Sequence, residues 1–306
     1  GYTFNTAIAD IVDNSIDAGA KNINVRITPG NLRQFKVSIV DDGCGMGREG
    51  LCQAMSLGSK SPDIARNEND LGRFGMGLKT ASFSQAKRLS LVSKTEDQRW
   101  QGLRWDLQRV ADTNEWTASF LDDREIGNVL DAAGADPSLP QGTIVEWSSC
   151  DRLMPESADA ELQSRVFEQA LLGLKDHLGL VFHRFLVRKS RLKLCINGRT
   201  VEPFDPFCVQ DRSIGVNSTL SFEETYKENI ASKVEDEAPI SVRGYLIPHP
   251  SRLKAASAKH KVAPHGDFLA YQGIYVYRGD RLLSWGDWYR LTQRSQANRL
   301  ARIEID

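Results

Sequence analysis

Apolar residues along the chain recur with two spacings, one typical of helices and one of strands. Four of them follow the spacing of a single helix face: Ile8, Ile11, Val12 and Ile16. They predict a first helix over residues 4–18. Residues 24–28 and 35–40 alternate or run apolar in the manner of β-strands. The chain is therefore predicted to open with a helix, a strand, a turn and a second strand.

The same patterns continue to the end of the chain. Helices are predicted over 78–87 and 161–186. Strands are predicted over 88–94, 99–109, 117–121, 143–147, 193–197, 240–247, 273–278 and 301–305. Residues 122–140 and 223–237 are acidic and are predicted to be exposed excursions. We place a domain boundary after residue 188, where a new strand pattern follows the long helix.

The composition is that of a globular protein and narrows the function only slightly. Of 306 residues, 41% are hydrophobic and 26% are charged, which excludes wholesale disorder. Thirty-nine basic and forty acidic residues give a net charge of −1, so the global charge does not indicate a nucleic-acid partner. No apolar run approaches the ~20 residues of a membrane helix. We expect a cytoplasmic protein without a membrane partner, and a chain starting at Gly1 is expected to be a fragment.

The five cysteines do not form a recognisable site. They are Cys44, Cys52, Cys150, Cys195 and Cys208. Their number is odd, their spacing is scattered, and no pair forms a CxxC motif, so neither a zinc site nor a disulfide framework is indicated. Reduced thiols fit an intracellular protein.

The first segment with candidate chemistry is the polar face of the opening helix. Asp10, Asn14 and Asp17 share this face at i, i+4 and i+7. The amide oxygen of Asn14 is a hard ligand that suits Mg²⁺, and Asp10 could deprotonate a nearby water. The alternative interpretation is an ordinary solvated helix face.

Two glycine-rich segments complete the candidate site. Asp41 and Asp42 end the second strand and precede Gly43, Gly45 and Gly47. A carboxylate there can accept a hydrogen bond from an exocyclic amine, although an ordinary Asp-Gly turn is the alternative. Residues 71–80, LGRFGMGLKT, open a helix, and backbone N–H groups at a helix N-terminus attract phosphate. The polar residues between the two segments form a predicted lid over about 44–76.

Two familiar phosphate-binding motifs do not fit. The spacing Gly45-x-Gly47-x-x-Gly50 matches a dinucleotide fingerprint, but two aspartates intervene after the strand and a polar loop follows. A Walker-type loop over 72–80 requires lysine at position 78, where the chain has Leu78.

Taken together, the segments resemble the GHKL ATPase superfamily, which includes gyrase-type topoisomerases, the ninety-kilodalton heat-shock chaperone, sensor histidine kinases and MutL. AIADIVDNSIDAGA is similar to its N-box, DDGCGMG to its adenine box and LGRFGMGLKTASFS to its phosphate box. GTIVEW over 142–147 resembles the fourth motif. SLGSKS, GMGLKTAS and GIYVYRGDRLL are most similar to MORC-like members.

The resemblance implies a role for each matching position. Asn14 would bind Mg²⁺ on the phosphates of ATP, and Asp41 would accept a hydrogen bond from the adenine amine. Asp10 stands where hydrolytic members carry Glu as general base. Further nucleotide contacts are implied for Gly45, Met46, Gly72, Gly75, Met76, Gly77, Lys79 and Thr143. Because Asp is shorter than Glu by one methylene, roughly 1.5 Å, slow hydrolysis is expected.

The resemblance also implies an architecture and partners. We expect an α/β (α+β two-layer sandwich) Bergerat-type ATP-binding domain over 1–188, with a mixed sheet and helices on one face. A smaller α/β transducer-like domain over 189–306, incomplete at its C-terminal end, would follow. Its phosphate-sensing lysine would be Lys259, Lys261 or a residue beyond the chain. ATP would close the lid and drive homodimerisation, in a clamp whose candidate polymer is DNA.

Alternatives remain open at this stage. The main alternative is a nucleotide-binding regulatory module without significant hydrolysis that interacts with a protein partner, because Asp10 replaces the usual Glu. A histidine kinase needs a phosphoacceptor helix, and a second domain argues against it. Residues 252–302 carry ten Lys or Arg, three Asp or Glu and six interleaved Tyr or Trp residues. They could bind nucleic acid, but packing of the aromatic rings in the core is favoured.

Overall fold

The computed structural model describes residues 2–29, 35–56, 77–150, 160–187, 192–208, 220–226, 240–249, 251 and 262–306. The chain divides into two compact units. The first unit consists of Gly1–Leu178 and Arg188–Val201, and the second of Gly179–Val187 and Glu202–Asp306. Among the described residues, no helix combines the length and the hydrophobicity that a membrane span requires.

The first unit contains an eight-stranded mixed sheet and most of the helices. Its helices are α1 (Phe4–Asp17), α2 (Arg48–Met55), α3 (Gly77–Gln85), α4 (Leu107–Thr113), α5 (Asp123–Ala133) and all but the end of α6 (Ala160–Val181). Its strands are β1 (Asn22–Pro29), β2 (Phe35–Asp41), β3 (Arg88–Lys94), β4 (Gln101–Asp106), β5 (Ser119–Phe120), β6 (Gly142–Cys150), β7 (Lys193–Ile196) and β8 (Arg199–Thr200). The strand order is β5-β4-β3-β6-β2-β1-β7-β8, and β1 and β7 are the parallel pair.

Helix α1 begins at a capping box. The Thr3 side chain accepts a hydrogen bond from the Thr6 backbone, and the Thr6 side chain accepts one from the Thr3 backbone. The four apolar residues of the predicted face largely turn inward, with Ile8, Ile11 and Val12 buried. The capping box and the buried face both support a helix that starts at Phe4, which is the predicted first residue. The helix ends at Asp17, one residue before the predicted end.

Helices α1 and α3 pack against the same face of the sheet. The Trp147 indole in β6 donates a 2.8 Å hydrogen bond to Ser82 of α3. The Asp41 side chain in β2 accepts one of 2.8 Å from Ser15 of α1. Asp41 pairs with Thr143, and alternate residues of a strand point to one face, so Trp147 and Asp41 point to the same side.

Helix α5 packs on the opposite face, where the sequence predicts an exposed excursion. Ile126, Val129 and Leu130 are buried against Val92 and Ile144 of the sheet. The prediction for 122–140 is therefore wrong over Asp123–Ala133. Acidic residues at the start and on the outer side of the helix make the segment acidic overall. Its apolar residues nevertheless form one stripe, which is buried against the sheet.

Other differences follow from tertiary packing. The predicted lid segment contains α2, whose Leu51 and Met55 are buried, and the strand predicted over 99–109 ends at Asp106, which caps α4. Strand β7 pairs with β1 in the first sheet, so the chain re-enters the first unit after α6 rather than leaving it at 188. The sequence could not indicate this, because a strand after a long helix reads the same in either unit.

The second unit contains a five-stranded sheet in the order β12-β11-β13-β10-β9. Its elements are α7 (His183–Val187), β9 (Leu220–Tyr226), β10 (Ile240–Leu246), a short 3₁₀ turn (Pro264–Gly266), β11 (Gly273–Arg278), β12 (Arg281–Asp287) and β13 (Ala301–Ile305). Strands β9 and β12 are additions to the predicted set. Strand β9 begins the acidic stretch 223–237, whose residues 227–237 lie outside the described residues.

The α/β fold class with a second, smaller domain is confirmed. The first unit combines a mixed sheet with packed helices, and the second unit has its own sheet and its own core. Helix α5 adds a layer on the face that the prediction left bare.

The packing of α5 predicts a difference between two neighbouring substitutions. Leu130→Ala should lower the free energy of unfolding of the first unit by about 2–5 kcal/mol, because it leaves a cavity against the sheet. The control is Asn128→Ala, on the exposed side of the same helix, which should change it by about 0.5 kcal/mol or less. Urea unfolding measures both, and equal effects would contradict the packing of α5.

Candidate functional site

The centre of the candidate site is the carboxylate of Asp41 at the end of β2. Its side chain is 5% exposed and accepts hydrogen bonds from Ser15 Oγ at 2.8 Å and from the Gly43 backbone at 3.0 Å. Burial raises the pKa of Asp41, while the bonds from Ser15 and Gly43 lower it in part. A buried carboxylate with lone pairs still available is suited to accept a hydrogen bond from an amine of a ligand.

Backbone contact fixes the corner that follows Asp41. Gly45 has a φ of +69°, and a Cβ added there would lie 1.9 Å from the Lys94 carbonyl oxygen at the end of β3. Gly142 has a φ of +149°, and its Cβ would lie 2.3 Å from the Asp41 carbonyl oxygen. Only glycine permits backbone approaches this close. The Asp-Gly segment is therefore held against two strands of the sheet and is not a free turn.

Ser93 connects the predicted residues of this corner. Its hydroxyl accepts a 2.8 Å hydrogen bond from the Met46 backbone and donates one of 2.9 Å to the Gly142 carbonyl. It also shares a 2.9 Å hydrogen bond with the Thr143 hydroxyl. Met46, Thr143 and Gly45 thus lie at one corner of the sheet.

Asp10 and Asn14 lie on the open side of α1. Asn14 is exposed and Asp10 is half-buried, whereas Asp13 on the inner side is buried. A Cβ added at Gly77, the first residue of α3, would lie 3.8 Å from Asp10 Oδ2. The candidate base, the candidate metal ligand and the start of α3 are therefore neighbours.

Lys79 does not join this group. It is 3% exposed, and its ammonium donates hydrogen bonds to the carbonyls of Ala54 at 3.1 Å and Ser56 at 2.6 Å, at the end of α2. Burial lowers its pKa. The predicted phosphate contact is not supported in this arrangement, because the ammonium caps α2.

The neighbouring Asp42 is also structural. Its carboxylate accepts hydrogen bonds from the backbone of Lys21 at 2.7 Å and from the backbone and side chain of Asn22 at 2.8 and 2.6 Å. Although burial raises its pKa, these bonds outweigh burial and lower the pKa below the usual value. Of the two adjacent aspartates, Asp41 is the one that remains for a ligand.

Some predicted positions cannot be compared. Gly72, Gly75 and Met76 of the phosphate box, and Lys259 and Lys261 of the second domain, lie outside the described residues. Most of the predicted lid does so as well.

Three residues of the site were missed by sequence reasoning: Ser15, Ser93 and Tyr2. Ser15 follows Asn14 on the inner side of α1, and Ser93 is a small polar residue inside a buried strand. Tyr2 donates a 2.7 Å hydrogen bond to Asp10 Oδ2. A buried serine in an apolar pattern is a weak sequence signal for a site residue. The contact between the Tyr2 hydroxyl and Asp10 exists only in the folded chain, so the sequence does not show it.

Comparison with known proteins places a family resemblance on this part of the chain. Residues 2–135 match the family model described as "Histidine kinase-, DNA gyrase B-, and HSP90-like ATPase". The resemblance to the GHKL superfamily that the motifs indicated is thereby confirmed for this part of the chain. The matched range contains every candidate site residue of the first unit except Thr143.

Individual relatives include the predicted MORC and MutL proteins. ATPase morc-1 of Caenorhabditis elegans is 36% identical over 91 residues, which cover 30% of this chain and 10% of that protein. DNA mismatch repair protein MutL of Haemophilus influenzae (strain PittEE) is 35% identical over 100 residues, which cover 31% of this chain and 16% of that protein. A solved "N terminal domain of a DNA repair protein" is 14% identical, aligns over 98% of this chain and 82% of that chain, and has a TM-score of 0.49. The chain thus spans only a small part of its curated relatives.

The close approach at Gly45 predicts an effect that its φ angle alone would not cause. Gly45→Ala should destabilise the first unit more than Gly19→Ala does, because a methyl group at position 45 collides with the Lys94 carbonyl. Gly19 has a similar φ of +75° and no atom within 4 Å of the added Cβ, so it serves as a matched control. Its substitution should cost only the left-handed strain of about 1–2 kcal/mol. Thermal unfolding measures both, and equal losses would contradict the contact.

Proposed function

We propose that the first unit binds ATP with Mg²⁺ in the cleft formed by α1, the corner after β2 and the start of α3. The observation that carries this proposal is the buried Asp41 carboxylate, oriented by Ser15 and Gly43 beside the Ser93–Thr143 pair. A fixed acceptor of this kind selects a ring with an exocyclic amine, which favours adenine. Burial strengthens such a bond, since water competes less for the carboxylate.

The side chains of α1 fit a magnesium ion held jointly with phosphates. Across the described ranges, no group of three acidic, His or Cys side chains could hold a metal by itself. Asn14 offers one exposed amide oxygen, and Mg²⁺ commonly takes one or two protein ligands and completes its shell with phosphate oxygens and water. In this proposal Asn14 would hold the ion at this place on the helix, and the ion would supply positive charge to the phosphates.

The start of α3 is the proposed phosphate site. Its first residue, Gly77, lies beside Asp10, and the free N–H groups of a helix start favour an anion. The glycines at 72 and 75 and Met76 would extend this cradle, as the phosphate-box resemblance implies. Asp10 would then act as general base for slow hydrolysis.

The conformational part of the proposal concerns the lid over 44–76 and dimerisation. Contact with the terminal phosphate is a known way to order a loop, and an ordered lid would create a surface for a second copy of the chain. ATP would then act as a clamp signal and hydrolysis as its release. The alternative is a regulatory nucleotide-binding module without significant hydrolysis that interacts with a protein partner.

DNA is the proposed polymer for the clamp, and one turn of the second unit supports it. Most of the aromatic residues that suggested nucleic acid are in the core, including Tyr275, Tyr277 and Trp288. Tyr289 is 48% exposed, and it forms a tight turn with Arg290 in which both residues have positive φ angles of 47° and 67°. Such strain in bulky residues often marks a functional site.

The charge around this turn is complementary to a phosphate backbone. Residues 288–303 contain arginines and no acidic residue, and Arg290 and Arg294 are exposed. The Asp287 carboxylate, beside the turn, accepts a 2.8 Å hydrogen bond from the Tyr289 backbone. The turn is held from inside, since Gln272 accepts hydrogen bonds from Trp288 and Ser295. A rigid turn that presents an aromatic ring and a guanidinium together is suited to stack on a base and contact a phosphate.

The nucleotide site predicts separate effects for two residues one turn apart on α1. Asn14→Ala should abolish Mg²⁺-dependent ATP binding, because the ion loses its protein ligand. Asp10→Ala should retain binding and lose turnover by about 10²-fold or more, because it removes the base. Calorimetry measures binding, and phosphate release measures turnover. Asp17→Ala, further along the same exposed face, is the control and should change neither.

Two results would contradict this assignment. Unaltered ATP affinity in Asn14→Ala would exclude the proposed metal ligand, and normal turnover in Asp10→Ala would exclude the proposed base. Sedimentation with a non-hydrolysable ATP analogue tests dimerisation in the same panel. Binding without turnover in the unmodified protein would favour the regulatory alternative.

The turn of the second unit predicts a salt-dependent loss of DNA binding. Arg290→Ala should weaken binding of a DNA oligonucleotide and lower the slope of log affinity against log salt by about 0.9, the value of one phosphate contact. Tyr289→Ala should weaken binding to single strands by about 1–3 kcal/mol. Fluorescence anisotropy measures both. The control is Arg124→Ala, which removes an exposed arginine on α5 and should bind DNA as the unmodified protein does. If Arg124→Ala weakens DNA binding as much as Arg290→Ala does, the turn is not the DNA-binding site.

A further inference from the structure

The hydroxyl group of Tyr2 lies directly on the candidate base. It donates a 2.7 Å hydrogen bond to Asp10 Oδ2 and also contacts the side chain of Thr80 in the first turn of α3. Gly77 is the first residue of the same turn, and a Cβ added there would lie 3.8 Å from Asp10 Oδ2. The phenol therefore lies where α1 and the proposed phosphate site meet.

The backbone of Tyr2 is fixed on both sides. Thr3, the next residue, is the N-cap of α1 and is locked in the capping box. The carbonyl of Tyr2 accepts a 3.4 Å hydrogen bond from the buried Gln85 at the end of α3. The backbone of Tyr2 is thus attached to both helices of the site, which fixes the position from which its ring reaches Asp10.

The hydrogen-bonding capacity of the phenol leaves room for a water molecule. A tyrosine hydroxyl has one proton to donate and two lone pairs that accept. The proton is directed to Asp10, and Thr80 accounts for one further contact. Tyr2 is 39% exposed, so water has access to this residue.

We propose that Tyr2 relays the basicity of Asp10 to the attacking water, and so restores the reach that Asp10 lacks. This inference rests on the proposed ATP hydrolysis. Asp is shorter than the family's usual Glu by about 1.5 Å. The phenol oxygen lies 2.7 Å beyond the carboxylate, which more than spans this difference.

The step balances without a further reactant. The water gives a proton to the Tyr2 oxygen while Tyr2 gives its own proton to Asp10. The water oxygen forms a bond to the terminal phosphorus, and the bond from that phosphorus to the bridging oxygen breaks. ADP leaves with the electron pair of that bond. Afterwards the proton on Asp10 passes to solvent, and both side chains return to their starting state.

The ionisation of Tyr2 agrees with a donor role. Burial and the hydrogen bond to Asp10 raise its pKa above the usual value near 10, so the hydroxyl stays protonated at neutral pH. A protonated phenol can give its proton to Asp10 only while it takes a proton from the water, and this coupled transfer is what a relay requires.

A double-substitution cycle in the full-length protein tests the relay. Tyr2→Phe keeps the ring and removes the hydroxyl, and it should lower kcat by about 10²-fold while the ATP dissociation constant and KM change by less than about twofold. Asp10→Glu supplies the missing methylene, so this variant should hydrolyse ATP without help from the Tyr2 hydroxyl. In the Asp10→Glu background, Tyr2→Phe should lower kcat by less than about threefold, because a glutamate reaches the water directly.

Each other outcome overturns the relay. A Tyr2→Phe protein as fast as the unmodified one, or faster, would make the phenol a bystander or a latch on Asp10. An equal loss in both backgrounds would make its role purely structural. An unmodified protein that binds ATP without turnover removes the relay and leaves nucleotide binding intact, whereas a protein that does not bind ATP removes the proposed function itself.

Discussion

The burial of one carboxylate organises the candidate site. A carboxylate that leaves water must be hydrogen-bonded, because an unsatisfied buried charge costs several kcal/mol. Asp41 meets this requirement through Ser15 of α1 and the backbone of Gly43, so the bond that stabilises the charge also joins the first helix to the end of β2. The geometry that keeps Asp41 ready for a ligand is thus the same geometry that stabilises the fold.

The corner after Asp41 depends on close backbone contact. Gly45 lies against the end of β3, and Ser93 of that strand holds Met46 and the start of β6. These contacts leave little freedom to the wall of the proposed purine pocket. Lys79 has a comparable role further along, where its buried ammonium connects α3 to the end of α2. A charged residue of the candidate site can therefore have a structural role, as the contacts of Lys79 show.

The second unit packs aromatic residues in its core, as the sequence favours. Its interleaved aromatic and basic residues could be a nucleic-acid surface, yet Tyr245, Tyr275 and Tyr277 form much of its core. Arg184 packs over the Tyr277 ring and forms ion pairs with Glu304 and Asp306. His183 is buried beside the same tyrosine, and burial lowers its pKa to about 3, so it stays neutral. Unlike these aromatic residues, Tyr289 in the tight turn after β12 is exposed.

The sequence alone determined the elements whose signals are local. Regular apolar spacing and glycine clusters lie within a few residues, and they predicted α1, β2, β3 and the identity of Asp41, Asp10 and Asn14 as candidates. Tertiary structure decided what depends on distant partners: the buried face of α5, the return of β7 to the first sheet, and the contacts of Ser93, Lys79 and Tyr2. These contacts join residues that are up to some 170 positions apart in the chain. No local pattern encodes such pairings, because they arise only when the sheet and helices pack together.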